Sequence, residues 1–394
     1  MVRNLTVAAL LVFTMRAETV LVLPFANHSA PNLEWIGESL AESIRESLAS
    51  QGLLVLDRND RLEGYRRLSL HPGANLTHAS IVKLGQALDA SLVIYGEYAQ
   101  HTSESGEGAP GGAPSPGTVR ITGRVLDLRQ IHLSPILTEL GPMEDLPGME
   151  VELAWDALHV IDPGTPLGKE EFVRMRPALR LDALESYARG LLAPTAEQRH
   201  KLFTQAARLD DQFSRPCFEL GIDAWKQKDY KVAASWLQRV TRRNSHFFEA
   251  QFFLGLCRYY GGDAAGAVEA FQTVAEAVPL NEVYNDLGAA EVRKNDLPAA
   301  IAAFRKAIEG DDADPDYQFN LGYTQWRMKD YDGAVESLRA AAERDPSDTE
   351  ITRLLGRTLK QEGPRPGDPQ GRQRVKTNYE ELAYRQLQAE LKRK

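Results

Sequence analysis

Cysteine is almost absent from this chain of 394 residues, which holds only Cys217 and Cys257. Two thiols cannot build a disulfide framework or a four-cysteine metal site, so stability has to come from buried apolar area. Positive charge is also in short supply, since 46 Lys and Arg against 55 Asp and Glu leave a net charge of −9. Nucleic acid rewards clustered cations and is therefore a poor fit as a main partner. No apolar run reaches the ~18 residues that a membrane span needs, so the mature chain reads as soluble, with any membrane association running through a partner.

Signatures of catalysis are missing as well. The eight histidines, at 28, 71, 78, 101, 132, 159, 200 and 246, include no pair at metal-ligand spacing. No Gly-x-Ser-x-Gly elbow, phosphate-binding lysine loop, kinase signature or zincin motif occurs. The Gly/Pro/Ser-rich stretch 101–117 lacks a lysine and opens no helix, so it reads as a hairpin loop and not a phosphate cradle. Asp311 and Asp312 form a tempting acid pair but stand in a turn. The expectation is a protein with no enzymatic activity, no cofactor and no metal.

What is present is globular material, 43% apolar and 26% charged, in a chain about two and a half times the roughly 150-residue domain norm. Two folded units are expected. Ahead of them, Arg3 precedes an apolar run from Leu5 to Phe13 and Ala17 precedes a potential cleavage point, which is the anatomy of an export signal over 1–17. An uncleaved first strand, leaving the protein cytoplasmic, is the alternative.

From 18 to 163 strand and helix signals alternate. Val20 to Phe25 suits a strand buried on both faces. Ile36, Leu40, Ile44 and Leu48 draw one apolar stripe along a helix that Gly52 should stop. A strand at 53–56, helices at 60–68 and 81–88, and a strand at 92–98 follow. Val119, Ile121 and Val125 then alternate with polar residues as a half-buried antiparallel strand does. A strand near 131–137 and a helix near 149–160 complete an α/β unit.

The second half repeats itself. The pair Leu-Gly recurs at 220–221, 254–255, 287–288, 321–322 and 355–356, in steps of 34, 33, 34 and 34 residues. Ala233, Ala267, Ala300 and Ala334 stand twelve residues after the first four glycines, followed by Leu237, Phe271, Phe304 and Leu338. Asp229, Asp263, Asp296 and Asp330 stand where a side chain would cap the second helix of each unit.

This half resembles the tetratricopeptide repeat family, whose helix pairs stack into a solenoid. The resemblance implies about five repeats and a terminal helix over 180–361, with Asp182 to Leu192 opening the first. Residues 362–394 read as a linker, broken by GPRPGDPQGR at 363–372, and a basic closing helix from Asn378. The resemblance also implies that positions 2, 5, 9, 12 and 13 of each first helix line a concave groove. Singled out there are Arg215, Phe218, Ile222, Trp225, Lys226, Phe252, Leu256, Tyr259, Tyr260, Arg293, Phe319, Tyr323, Trp326 and Arg327. Rings and arginine concentrate binding energy, so a protein or peptide is the expected occupant, with about half of the rings accessible. The Lys and Asn set by which some family members hold a terminal carboxylate is not evident.

The segments VLVLPFANHS, WIGESLAESIRESL, GLLVLDR, LGQALDASLVIYGEY and VRITGRVLDL make residues 19–128 similar to the amino-terminal domain of TolB and to curli-secretion (CsgG-like) and flagellar outer-membrane (FlgO-like) domains. That likeness implies a bacterial, exported, periplasmic protein. TolB continues into a propeller where this chain has repeats, so a Tol-Pal role does not carry over. The resulting expectation is an α/β domain followed by an all-α solenoid, acting as a non-catalytic envelope scaffold. The alternative is an oligomeric secretion or transport component built on the front domain.

Overall fold

The computed structural model describes residues 18–100, 117–176, 178–366, 372–381 and 383–386. The expected leader at 1–17 and nearly all of the Gly/Pro/Ser-rich loop lie outside the described residues.

The front part is built on a sheet of seven strands: β1 (Thr19–Val22), β2 (Ala26–Asn27), β3 (Leu54–Val55), β4 (Leu92–Gln100), β5 (Thr118–Asp127), β6 (His132–Leu133) and β7 (Leu137–Pro142). β1 lies between β3 and β4 and is parallel to both. β5 continues the sheet antiparallel to β4, from Leu92 opposite Asp127 to Gln100 opposite Val119, and carries β6 and β7 beyond it. The strand expected near 131–137 is two pieces. Pro135 separates them, and Ser134 Oγ accepts the Val125 amide there at 2.9 Å.

Because neighbouring side chains on a strand point to opposite faces, β1 feeds two cores. Val20 and Val22 pack with helices α1 (Trp35–Ala49) and α4 (Leu146–Ile161), while Leu21 and Leu23 pack with α2 (Arg58–Arg67) and α3 (His78–Ala87). α1 crosses so close to the chain that a Cβ on Gly37 would stand 2.2 Å from the Phe25 carbonyl oxygen.

The stripe Ile36, Leu40, Ile44 and Leu48 faces the sheet, yet every residue from Trp35 to Leu48 is buried. The charged face of α1 is covered too. After the short α5 (Lys169–Arg174), α6 (Leu181–Leu192) packs along it. Glu38 pairs with Arg58 at 2.6 Å and Arg61 at 2.5 Å, and Arg58 donates onward to the Leu191 carbonyl at 2.7 Å. Glu46 accepts from the amide and hydroxyl of Ser245, both at 2.6 Å.

The helical half is a solenoid of tetratricopeptide-like helix pairs. The pairs are α6 with α7 (Ala196–Leu209), α8 (Arg215–Lys226) with α9 (Tyr230–Leu237), and α10 (Phe247–Gly261) with α11 (Ala264–Ala275). Next come α12 (Asn281–Lys294) with α13 (Leu297–Gly310), α14 (Pro315–Arg327) with α15 (Tyr331–Arg344), and then α16 (Thr349–Leu359). The Leu-Gly period has a steric cause. A Cβ on Gly221, Gly255, Gly288 or Gly322 would meet Leu237, Phe271, Phe304 or Leu338 of the partner helix at 2.6–2.7 Å. At Gly356, in α16, nothing among the described residues lies within 4 Å. Asp229, Asp263, Asp296 and Asp330 each accept an amide of the first turn they precede, at 3.0–3.2 Å. Ala233, Ala267, Ala300 and Ala334 are fully buried at the pair contacts.

One expectation is corrected. The closing helix does not start at Asn378, for residues 372–380 are not helical and helix resumes only at 381. The amides of Arg374, Lys376 and Glu380 are instead held by side chains of the solenoid.

Candidate functional site

The concave face is lined by the first helices of the pairs, α8, α10, α12 and α14, with α16 at the far end. The residues anticipated there divide into three groups. At the open end, Trp225 lies 5.5 Å from Phe253 and 6.1 Å from Tyr260 between ring centres, and Tyr260 stacks on Tyr230 at 4.9 Å. Tyr260 is 40% exposed, Trp225 and Ile222 are half-buried and Lys226 is exposed.

In the second group the rings and Leu256 are covered, while Arg293 is exposed and Arg327 half-buried. Phe252, Leu256, Tyr259, Phe319, Tyr323 and Trp326 are all buried. Arg293 lays its guanidinium 3.6 Å from the Tyr259 ring centre and donates to the Tyr259 carbonyl at 2.6 Å, while Arg327 donates to Asn295 Oδ1 at 3.3 Å. Trp326 Nε1 donates to the Glu362 carbonyl at 2.7 Å beneath Arg357, so this ring is part of the scaffold.

The third group lies elsewhere. Phe218 stacks on His246 at 4.5 Å, and Arg215 lines a separate cavity of about 860 Å³ between α1, α4 and the loops that precede α8 and α10.

What covers the middle of the groove is the chain's own segment 372–380. Wholly buried Asn320 brackets Arg374, its Nδ2 donating to the Arg374 carbonyl and its Oδ1 accepting the Arg374 amide, both at 2.9 Å. Asn285 Nδ2 donates to the same carbonyl at 2.8 Å, and its Oδ1 accepts from Asn320 at 2.8 Å. Two residues on, Asp286 Oδ1 accepts the Lys376 amide at 2.8 Å, and Glu282 accepts the Glu380 amide at 3.1 Å. These contacts read main chain and are indifferent to side-chain identity.

The side chains add a second layer of contacts. Arg374 pairs with Asp316 at 3.0 Å and Asp348 at 2.7 Å, with its guanidinium 4.0 Å from the Phe319 ring centre. Lys376 Nζ lies 2.7 Å from both Asp314 and Asp316. Tyr379 stacks on Phe252 at 5.2 Å. Charge-assisted pairs and a cation over a ring are the stronger members of their classes.

The acids of the groove differ in character. Burial works to raise the Asp316 carboxyl, but hydrogen bonds and charges from Lys376 and Arg374 outweigh it and hold the group below its ordinary value. Burial prevails at Asp286 and pushes it well above the ordinary value against the Lys376 amide and Asn285. A protonated Asp286 still accepts at Oδ1, and its Oδ2 has no hydrogen-bond partner among the described residues.

Sequence reasoning passed over these polar contacts although its own register held three of the residues that make them. Glu282 and Asp316 occupy position 2 and Asn285 position 5, but attention to rings and arginine left them out. Asp286 and Asn320 share position 6 in successive repeats, 34 residues apart. Among the described residues there is no cluster of metal-ligating side chains, and no helix is long and apolar enough to cross a membrane.

The tetratricopeptide repeat family model matches residues 218–282, 285–349 and 319–361. No curated protein sequence matches the chain. Among solved structures, MamA is 20% identical over 46% of this chain and 93% of its own, with a TM-score of 0.36. A MamA fragment from Desulfovibrio magneticus RS-1 is 23% identical over 44% of this chain and 99% of its own, with a TM-score of 0.38. YrrB, described as a TPR protein with an unusual peptide-binding site, is 16% identical over 48% and 91%, with a TM-score of 0.36. At these identities the likeness concerns fold alone.

Proposed function

We propose that this tetratricopeptide-repeat protein is a non-catalytic scaffold that binds a protein partner by taking a non-helical segment of it into the concave groove. The observation that carries the reading is the seat of residues 374–380, where Asn285, Asp286 and Asn320 hold backbone amides and a carbonyl. A surface that satisfies the main chain of a segment with no helix or sheet of its own is suited to a peptide. The place of action is the cell envelope, a reading supported by the apolar run after Arg3 and by the TolB-like pattern of 19–128.

The test frees the seat first. In the full chain, Arg374→Glu with Lys376→Glu sets like charges against Asp314, Asp316 and Asp348, and a random peptide library is panned on that protein. Selected peptides should lose at least about tenfold in affinity when Asn285→Ala and Asn320→Ala are added, since each bond lost costs about 0.5–1.5 kcal/mol. Trp225→Ala or Tyr260→Ala should weaken those peptides that extend to the open end. If every selected peptide binds the alanine variants undiminished while helical circular dichroism is intact, recognition lies outside the groove.

A further inference from the structure

The groove is asymmetric in chemistry, and the segment it holds matches that asymmetry residue by residue. On one wall stand Asp314, Asp316 and Asp348, and the only described cations within 4 Å of these three are Arg374 and Lys376. On the floor Phe319 lies under the Arg374 guanidinium, and Tyr317 lies 5.3 Å from Lys376 Nζ. Further along, the buried ring of Phe252 takes Tyr379. The occupied subsites therefore spell Arg, Lys two residues later and an aromatic ring three residues after that. A neutral or acidic segment would leave three carboxylates facing one another on a partly buried wall, which is costly.

We infer that the partner, on the reading of the groove as a peptide site, presents a basic segment of the pattern Arg-x-Lys-x-x-aromatic, and that the chain's own residues 374–379 are a built-in competitor the partner must displace. The tether gives the competitor its strength. A segment joined to its own site acts at an effective concentration of the order of millimolar. An added peptide of identical sequence then binds the intact protein only near that concentration, however tight its intrinsic contact with the groove. A productive partner must bind more tightly than the tail, extend into the open Trp225–Tyr260 end, or be held nearby by other contacts.

The experiment uses a fluorescein-labelled synthetic peptide spanning residues 372–386 and the full-length chain, read by fluorescence polarisation. On the wild-type protein half-saturation is expected at roughly millimolar peptide. On the Arg374→Glu, Lys376→Glu protein the same peptide should bind at least about thirtyfold more tightly, and a peptide carrying those two charge reversals should not bind it. Should the double variant lose its helical circular dichroism, Lys376→Ala, which removes the contacts to Asp314, Asp316 and the Tyr317 ring and keeps the main-chain contacts, is read in the same way with a smaller gain.

Equal affinity of the peptide for wild type and variant overturns the competitor. Failure of the basic peptide on a variant that still binds library-selected peptides overturns the partner chemistry alone and leaves the groove reading standing. Failure of both kinds of peptide overturns the groove reading with it.

Discussion

Glu150, on α4, is 1% exposed, and its carboxyl accepts the Ser39 hydroxyl of α1 at 2.6 Å. Burial pushes its pKa up from 4.5 to about 7, opposed by hydrogen bonds from Ser39 and Ser43 and by the charge of Arg215. The folded protein thus holds this proton more tightly than the unfolded chain does. The resulting stability is fully present below about pH 4.5 and is lost as the pH rises through about 7. Glu150→Gln keeps a carbonyl for Ser39 and never ionises. Its advantage over wild type should therefore grow from under about 1 kcal/mol at pH 5 to about 3 kcal/mol at pH 8, at 1.36 kcal/mol per pKa unit. Urea unfolding of both proteins at pH 5, 6, 7 and 8, followed by far-ultraviolet circular dichroism, measures this directly. A difference that stays flat across the range, or a variant less stable at pH 8, refutes the assignment of a buried, proton-holding carboxyl.

Three further outcomes are expected. Gly288→Ala, whose Cβ would stand 2.6 Å from Phe304, should cost roughly 1–3 kcal/mol, whereas Gly356→Ala, with nothing among the described residues within 4 Å, should be neutral or stabilise by up to about 1 kcal/mol; thermal melts of the two compare them. Cys217 and Cys257 are both buried free thiols, and burial pushes Cys257 up to about 12, so iodoacetamide should label them only after denaturation; a disulfide in the unreduced mass spectrum would contradict this. Asp286→Asn retains the acceptor for the Lys376 amide and removes a carboxyl that burial holds well above its ordinary value. Its gain in melting temperature should be absent below about pH 3.8 and grow with rising pH, and a gain independent of pH would sink the argument.

The solenoid was legible in the sequence because its constraints are local and recur. Gly288 must be glycine on account of Phe304, sixteen residues away in the adjoining helix, and the same geometry returns every repeat. The strands of the sheet were legible for a similar reason, since Val20 to Leu23 carry their burial in composition. The charged face of α1 was not legible. Glu38, Glu42 and Glu46 look like a solvated face, and only their pairing with Arg61, Arg45 and Ser245 from distant or neighbouring turns makes them interior. The seating of Arg374 and Lys376 was equally hidden. Their stretch has no apolar period, and its place is set by Asn320 and Asp286, which lie 54 and 90 residues upstream. Legibility of the site stopped where contacts became long-range and polar. Reading the anticipated register for rings passed over Glu282, Asn285 and Asp316, while Asp286 and Asn320 stand at a position that register left out.

Helix α1 belongs to both halves of the molecule, with its apolar side in the sheet's core and its charged side against α6 and Ser245. A seam made of carboxylates and guanidinium groups behaves differently from one made of leucines. While the ribosome has released only the front part, the uncovered side of α1 presents Glu38, Glu42, Arg45 and Glu46 to water, which lowers the apolar surface open to neighbours. Once residues up to 245 have emerged, the same charges find fixed partners and water is shut out. From then on the seam resists local opening, because separating the halves would strand Glu46 and Arg58 without the Ser245 and Leu191 groups they hold. Sheet and solenoid should consequently melt in one calorimetric transition, as a single cooperative body assembled in two steps.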